Sequence, residues 1–229
     1  MYFWHVLTRL GEAQILLPLA LLAGLAAMRL APTRPRAVRW LVPLLVAAVV
    51  TTISKVAFIG WGIGQRAFDF TGVSGHAMFA AAVYPVLFDA MQGGAPHRAR
   101  RLAVVCGCAL ALLIGISRVM VGAHSASEVI AGLLLGGAVS AMVLAQPRRA
   151  PLAVGTLPGI AAALWLVLMP LHAPAARTHA TVMQFASLLS GHTKPHTRAE
   201  MLRGPTRTHC RCNTTALAPS HDTAGPWRR

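Results

Sequence analysis

The chain has 229 residues, of which 55% are hydrophobic and only 12% are charged. A soluble domain carries about a quarter charged residues, so the composition argues against a soluble globular protein. The formal net charge of +15 would suit a nucleic-acid partner. However, much of the positive charge lies in short connections between apolar runs and in the tail, which is the pattern of membrane topology. We therefore expect a lipid bilayer, and no nucleic acid, as partner.

The apolar residues form six runs, each near the ~20 residues that a helix needs to cross a bilayer. This pattern predicts an all-α polytopic membrane bundle with about six transmembrane helices. The predicted runs cover about residues 13–30, 38–59, 74–91, 102–116, 125–145 and 152–171.

The runs also divide the chain into three regions. Residues 1–12 are rich in aromatic side chains and are predicted to be an interfacial lead-in. Residues 13–172 hold the transmembrane domain. Residues 173–229 form a polar, basic tail, with a short interfacial helix expected at 177–192. The rest of the tail has few large apolar side chains, so we expect it to be largely disordered.

Four cysteines are present. Cys106 and Cys108 lie inside the fourth apolar run, which favours buried structural residues. Cys210 and Cys212 lie beside His209 in the tail. Such a cluster can bind metal, but its spacing is not a standard zinc pattern, and we expect no metal there.

Basic residues are divided unevenly between the connections. The loops after the second and fourth runs hold little beyond Arg66 and Arg118, with Lys55 at the edge. The positive-inside rule places the arginine-rich loops, after the first, third and fifth runs, in the cytoplasm. The arginines in those loops are Arg29, Arg34, Arg36, Arg39, Arg98, Arg100, Arg101, Arg148 and Arg149.

Two short polar segments then share the opposite side of the membrane. One contains Ser74-Gly75-His76, and the other runs from Ser117 to Glu128. His124 and Glu128 are four residues apart, so a helix places them on one face. A carboxylate there can hold one ring nitrogen of the imidazole and leave the other free to react. Two histidines and an arginine favour chemistry on an anionic group such as phosphate.

These motifs resemble two signatures of the type 2 phosphatidic acid phosphatase (PAP2) superfamily. Its members carry Pro-Ser-Gly-His, followed by Ser-Arg, a spaced His, and an Asp four residues later. The chain has Val73-Ser74-Gly75-His76, then Ser117-Arg118 with His124 and Glu128 at the matching spacing. The resemblance covers about residues 50–145, and the six-helix pattern agrees with it.

The chain departs from the family pattern in three places. The first signature is a lysine followed seven residues on by Arg-Pro. Lys55 matches the lysine, but position 62 is glycine and Arg66 is the only nearby substitute. Val73 replaces the proline. Glu128 replaces the aspartate and is longer by one methylene, so the placement of His124 is expected to differ.

The resemblance implies a mechanism that needs no metal or cofactor. His124, oriented by Glu128, would attack phosphorus to form a phosphohistidine. His76 would protonate the leaving oxygen and then activate water. The residues implied to hold the phosphate oxygens are Lys55, Arg118, Ser74 and Gly75 through its amide, with Ser117 and Arg66 as weaker members.

The expected function is therefore hydrolysis of a lipid-linked phosphate monoester or pyrophosphate at the outer face of a membrane. The candidate substrates are phosphatidic acid, phosphatidylglycerol phosphate and undecaprenyl pyrophosphate. The alanine- and arginine-rich composition favours a bacterial inner membrane, with the site facing the periplasm. Two alternatives stay open, a lipid phosphotransferase that uses the same site and a catalytically silent lipid-binding or transport scaffold. A soluble haloperoxidase does not fit six apolar runs.

Overall fold

A computed structural model describes residues 2–29, 32–93, 95–145, 164–166, 168–169, 178–192 and 194–203. Within these residues the chain is helical, apart from connections and one isolated bridge between Gln65 and Phe70. The helices are α1 (Tyr2–Arg9), α2 (Ala13–Met28), α3 (Arg34–Trp61), α4 (Gly75–Met91), α5 (His97–Met120), α6 (Ala126–Leu144), α7 (Thr178–Ser190) and α8 (Arg198–Arg203). A short 3₁₀ turn covers Arg66–Phe68.

Four of the described segments are long and apolar enough to cross a membrane. They are Tyr2–Met28, which joins α1 and α2, together with α3, α5 and α6. Helix α4 is apolar but shorter, at 17 residues. The prediction of an all-helical membrane bundle is confirmed. The sixth predicted run, 152–171, lies mostly outside the described residues.

The outer surface of the bundle is apolar. Large aliphatic side chains of α2, α3, α5 and α6 are exposed, where a soluble protein would carry polar groups. Examples are Leu22, Leu45, Val46, Ile53, Leu102, Val105, Ile130 and Leu134. Such a surface matches a hydrocarbon solvent.

Cys106 and Cys108 belong to this outer surface. Both are exposed on α5, so the prediction that they are buried is wrong. An apolar run has the same composition whether a side chain meets lipid or protein. The composition of an apolar run therefore cannot predict whether a single residue faces lipid or the protein core.

Helix α4 forms the centre of the bundle and packs most extensively on α5 and α6. Most of its residues are buried. The partners approach it through glycines, because a missing Cβ lets two backbones come close. A Cβ on Gly132 would lie 2.6 Å from the Ser74 carbonyl oxygen, and one on Gly136 would overlap the Met78 carbonyl oxygen. This contact fixes the start of α4 against α6.

A buried ionic cluster lies at the end of the bundle where α3 and α5 begin. Asp89, near the end of α4, accepts hydrogen bonds from Arg100 Nε at 3.2 Å and Nη2 at 3.0 Å. Arg36 Nη2 lies 3.3 Å from the same carboxylate. All three side chains are buried, so these two arginines join helices as well as contributing to the charge asymmetry of the loops.

Helices occur within both of the predicted terminal regions. The predicted lead-in, 1–12, contains helix α1, and its residues Leu7 and Thr8 are buried against the bundle. In the predicted tail, 173–229, the described residues include α7, where a short helix is expected at 177–192, and α8. The His196 amide, which donates to the Ile59 carbonyl oxygen, joins the segment before α8 to the end of α3. The metal-like cluster at 209–212 lies outside the described residues.

The glycine contact predicts opposite effects for two neighbouring substitutions. Gly136→Ala should destabilise the protein by roughly 1–3 kcal/mol, because the new methyl group overlaps the backbone of α4. Gly137→Ala should be neutral or stabilising by up to ~1 kcal/mol, since nothing lies within 4 Å of its Cβ and alanine favours helix. Thermal unfolding of both variants in detergent measures the difference. Equal effects would contradict this packing.

Candidate active site

Four helix ends and one turn meet at the end of the bundle opposite the ionic cluster. Helices α3 and α5 end there, and α4 and α6 begin there. His76 lies within electrostatic reach of Lys55, Arg118 and His124. The structure therefore brings together residues from three separate parts of the sequence. Lys55 and His124, for example, are 69 positions apart.

His124 is held by the first turn of α6. Ser125 is the N-cap, and a capping box joins it reciprocally to Glu128. The same Glu128 carboxylate lies 2.6 Å from His124 Nδ1 through Oε2. An ionised carboxylate only accepts hydrogen bonds, so Nδ1 carries the proton. The Nε2 atom then retains its lone pair and can act as a nucleophile or base.

Glu128 is fully buried and its carboxylate has several partners. Oε1 accepts from Thr71 N at 2.7 Å and from Thr71 Oγ1 at 2.5 Å. Oε2 lies 2.6 Å from Arg198 Nη2 and 3.3 Å from Ser125 N. The Glu128 side chain therefore both caps α6 and orients His124.

The environment of His124 favours the neutral imidazole. Burial lowers the pKa of His124 from its ordinary value, and the hydrogen bond to Glu128 opposes that lowering. The nearby charges of Lys55 and Arg118 lower it further. A neutral imidazole near pH 7 is the form that can attack an electrophile.

Two donors at this end of the bundle have no hydrogen-bond partner among the described residues. The Ser74 hydroxyl is fully buried, and neither it nor Arg118 Nε has a hydrogen-bond partner among the described residues. Arg118 Nη1 donates to Thr8 Oγ1 at 2.8 Å, which orients the guanidinium. A Cβ on Gly75 would lie 3.8 Å from Lys55 Nζ, so the first turn of α4 faces this lysine. Unpaired buried donors and a helix N-terminus suit an anion.

Two predicted phosphate ligands are placed differently. The Ser117 hydroxyl donates to the Ile114 carbonyl oxygen at 2.6 Å, so its proton is used within α5. Arg66 is exposed in the 3₁₀ turn, and among the described residues no side-chain hydrogen bond or ion pair joins it to the other predicted ligands. Besides Arg118, the arginine that reaches this region is Arg198, in α8.

Thr8, Thr71 and Arg198 were missed in the sequence because they lie far along the chain from their partners. Thr8 is 110 residues from Arg118, and Thr71 is 57 residues from Glu128. Thr71 lies three residues before the Ser74 motif, which is the only local signal. A threonine in a lead-in and an arginine in a basic tail carry no distinguishing pattern.

Known proteins share sequence similarity with this chain. The model of the PAP2 superfamily matches residues 37–151. An uncharacterized 22.5 kDa protein in the cps region of Klebsiella pneumoniae is 34% identical over 205 residues, covering 86% of this chain and 97% of that protein. Phosphatidylglycerophosphatase B of Bacillus subtilis (strain 168) is 36% identical over 70 residues, 30% of this chain and 34% of its own length. No solved structure matches.

The unpaired donors predict that inorganic phosphate binds and stabilises the protein. A ligand at about 100 times its Kd adds about 2.7 kcal/mol to the free energy of unfolding, so the melting temperature should rise. Arg118→Gln should remove most of this rise, because it deletes the buried guanidinium. Arg66→Gln, the matched control, should keep it. Loss of the effect in the Arg66 variant alone would contradict the assignment.

Proposed function

Since the chain belongs to the PAP2 superfamily, we propose that it is a membrane phosphatase acting on a lipid-linked phosphate monoester or pyrophosphate. One observation carries the proposal. His124 presents a neutral Nε2, with Nδ1 held by a buried carboxylate, beside cations and unpaired donors that suit phosphate oxygens. A positioned nucleophile and preorganised charge are the main requirements of phosphoryl transfer.

In the first step, the Nε2 lone pair of His124 attacks phosphorus and forms a P–N bond. The P–O bond to the lipid breaks, and its electron pair stays on the leaving oxygen. The negative charge of the bound phosphate offsets the nearby cations and lets His76 carry a proton, which His76 gives to that oxygen. Glu128 stabilises the positive charge that develops on the His124 ring. Lys55, Arg118, Ser74 and the Gly75 amide hold the non-bridging oxygens.

In the second step, water attacks the phosphohistidine. His76, now neutral, takes a proton from the water as the new P–O bond forms. The P–N bond breaks and returns its electron pair to Nε2 of His124. Both histidines recover their starting states. No metal is needed in this scheme, because Lys55 and Arg118 supply the positive charge.

The position of the site favours a lipid substrate. It lies where membrane-crossing helices end, so a headgroup can enter while its hydrocarbon tail remains in the bilayer. A lipid phosphate monoester such as phosphatidylglycerol phosphate is the first candidate, because one relative bears the name phosphatidylglycerophosphatase B. Phosphatidic acid and undecaprenyl pyrophosphate are the others. We place the site at the periplasmic face of a bacterial inner membrane.

Phosphate release from a panel of lipid phosphates in detergent tests the function. His124→Ala should lower kcat by roughly 10⁴-fold or more, because it removes the nucleophile. His5→Ala is the control, since His5 is exposed on α1 and should leave the rate unchanged.

The outcomes separate the rivals. If the folded wild-type protein releases no phosphate to water, the proposed hydrolase activity is wrong. Activity that appears only when an alcohol acceptor is added would support the phosphotransferase. Inactivity with lipid binding would support the silent scaffold.

The arginine asymmetry predicts the orientation. Ile63→Cys, at a side chain 67% exposed, should react with an impermeant thiol reagent in intact cells. Ala95→Cys, at the opposite end of the bundle, should react only after the cells are opened. The reverse labelling pattern would place the site on the cytoplasmic side. The native cysteines to be replaced first are Cys106, Cys108, Cys210 and Cys212.

A further inference from the structure

The segment that follows α7 returns across the site end of the bundle. Helix α7 packs on α3, where Gly60 lies against Ala186 and Ser190. The His196 amide then donates to the Ile59 carbonyl oxygen at 3.0 Å. Residues 194–203 are thereby anchored at the end of α3. This path brings α8 over the connection between α3 and α4.

Arg198 is the residue of this segment that reaches the site. Its Nη2 lies 2.6 Å from Glu128 Oε2 and 3.4 Å from Thr71 Oγ1. Its Nε lies 3.5 Å from Asp69 Oδ1. The side chain is 30% exposed, whereas the Glu128 carboxylate is completely buried. A surface arginine therefore reaches inward to pair with a buried carboxylate.

We propose that Arg198 is a positioning residue, which holds the Glu128 carboxylate and thereby sets the orientation and proton affinity of His124. Its consequence for catalysis rests on the proposed phosphatase function. The coupling between Arg198 and His124 can be measured without any activity.

The geometry favours positioning over direct phosphate binding. Arg198 and His124 Nδ1 share one oxygen of Glu128. The two nitrogens of an imidazole point away from one another, so a phosphate at Nε2 lies on the opposite side of the ring. A glutamate has one more rotatable bond than an aspartate, and fixing it requires more contacts. Arg198 and Thr71 supply those contacts from two separate segments.

The same pair affects the protonation of His124. A cation beside Glu128 neutralises part of the charge that favours the imidazolium, so it holds the pKa of His124 down. Removing the cation should raise that pKa. The charged and titratable groups that face His124 are Glu128 on α6, Lys55 on α3, Arg118 on α5, His76 on α4 and, through Glu128, Arg198 on α8.

The first experiment compares three full-length variants in detergent. Arg198→Ala should lower kcat by roughly 10- to 100-fold with little change in KM, since misplacing a reacting group affects the transition state. Arg198→Lys keeps the charge but not the forked geometry, and should recover part of the rate. Arg203→Ala removes an exposed arginine of the same helix and is the matched control. Thermal melts show that each variant is folded.

The pH dependence gives a readout that a merely structural role would not move. His124 must be neutral to attack, so kcat/KM should fall as the pH drops through its pKa. In Arg198→Ala this acid limb should shift to higher pH by about half a unit or more, and in Arg198→Lys it should stay near the wild-type position. NMR titration of the His124 ring, assigned with His124→Gln, should show the same shift.

A double-mutant cycle tests whether Arg198 acts through Glu128. In a Glu128→Gln background, Arg198→Ala should have little further effect, because the shared carboxylate is gone. A full additional loss in that background, or a rise in KM alone, would overturn positioning and indicate direct substrate binding. An unchanged His124 titration in Arg198→Ala would also overturn it. If the wild type releases no phosphate, the phosphatase proposal fails, and the titration still decides the coupling.

Discussion

The structure at the site end depends on one buried carboxylate. Glu128 caps α6, holds His124 and accepts hydrogen bonds from Thr71, while Arg198 pairs with it from α8. A charge with no exposure is costly in a membrane protein unless it is paired and fully hydrogen-bonded. The partners of Glu128 come from three segments that are distant in sequence: the start of α6, the connection before α4, and α8. Any change that moves one of them also moves the imidazole, so the stability of this end and the geometry of the histidine are linked.

Close backbone packing places the two histidines relative to one another. The amide of Ser74 donates to the Glu128 carbonyl oxygen at 3.1 Å, and glycines of α6 let α4 approach along its length. His76 lies in the first turn of α4 and His124 lies just before α6, so this contact sets the relation between the two imidazole rings. In a membrane, helices associate through van der Waals packing and not through the hydrophobic effect, so small residues that let two backbones come close strengthen the contact. The packing of the core thus sets the relative positions of the two histidines.

Family membership and site geometry support the same class of reaction from independent directions. The family model covers half of the chain, while the unpaired donors of Ser74 and Arg118 follow from the structure. The chain lacks the Arg-Pro of the first signature, and Arg66 is exposed, with no side-chain hydrogen bond or ion pair to the other described site residues. The arginine that pairs with Glu128 instead comes from the far end of the described chain. This arrangement differs from a simple replacement of one phosphate-binding cation by another, since Arg198 lies on the Nδ1 side of His124.

The sequence by itself determined the helical class, most of the span boundaries and the His124–Glu128 pair. Hydropathy over ~20 residues and the four-residue spacing of His124 and Glu128 are local properties, and both can be read from the sequence without knowing how the helices pack. Tertiary structure decided which side chains face lipid, as for Cys106 and Cys108, and which basic residues are buried, as for Arg36 and Arg100. It also decided that Thr8, Thr71 and Arg198 join the site. These are contacts between segments tens of residues apart, and they exist only after the helices have packed, so no local pattern predicts them.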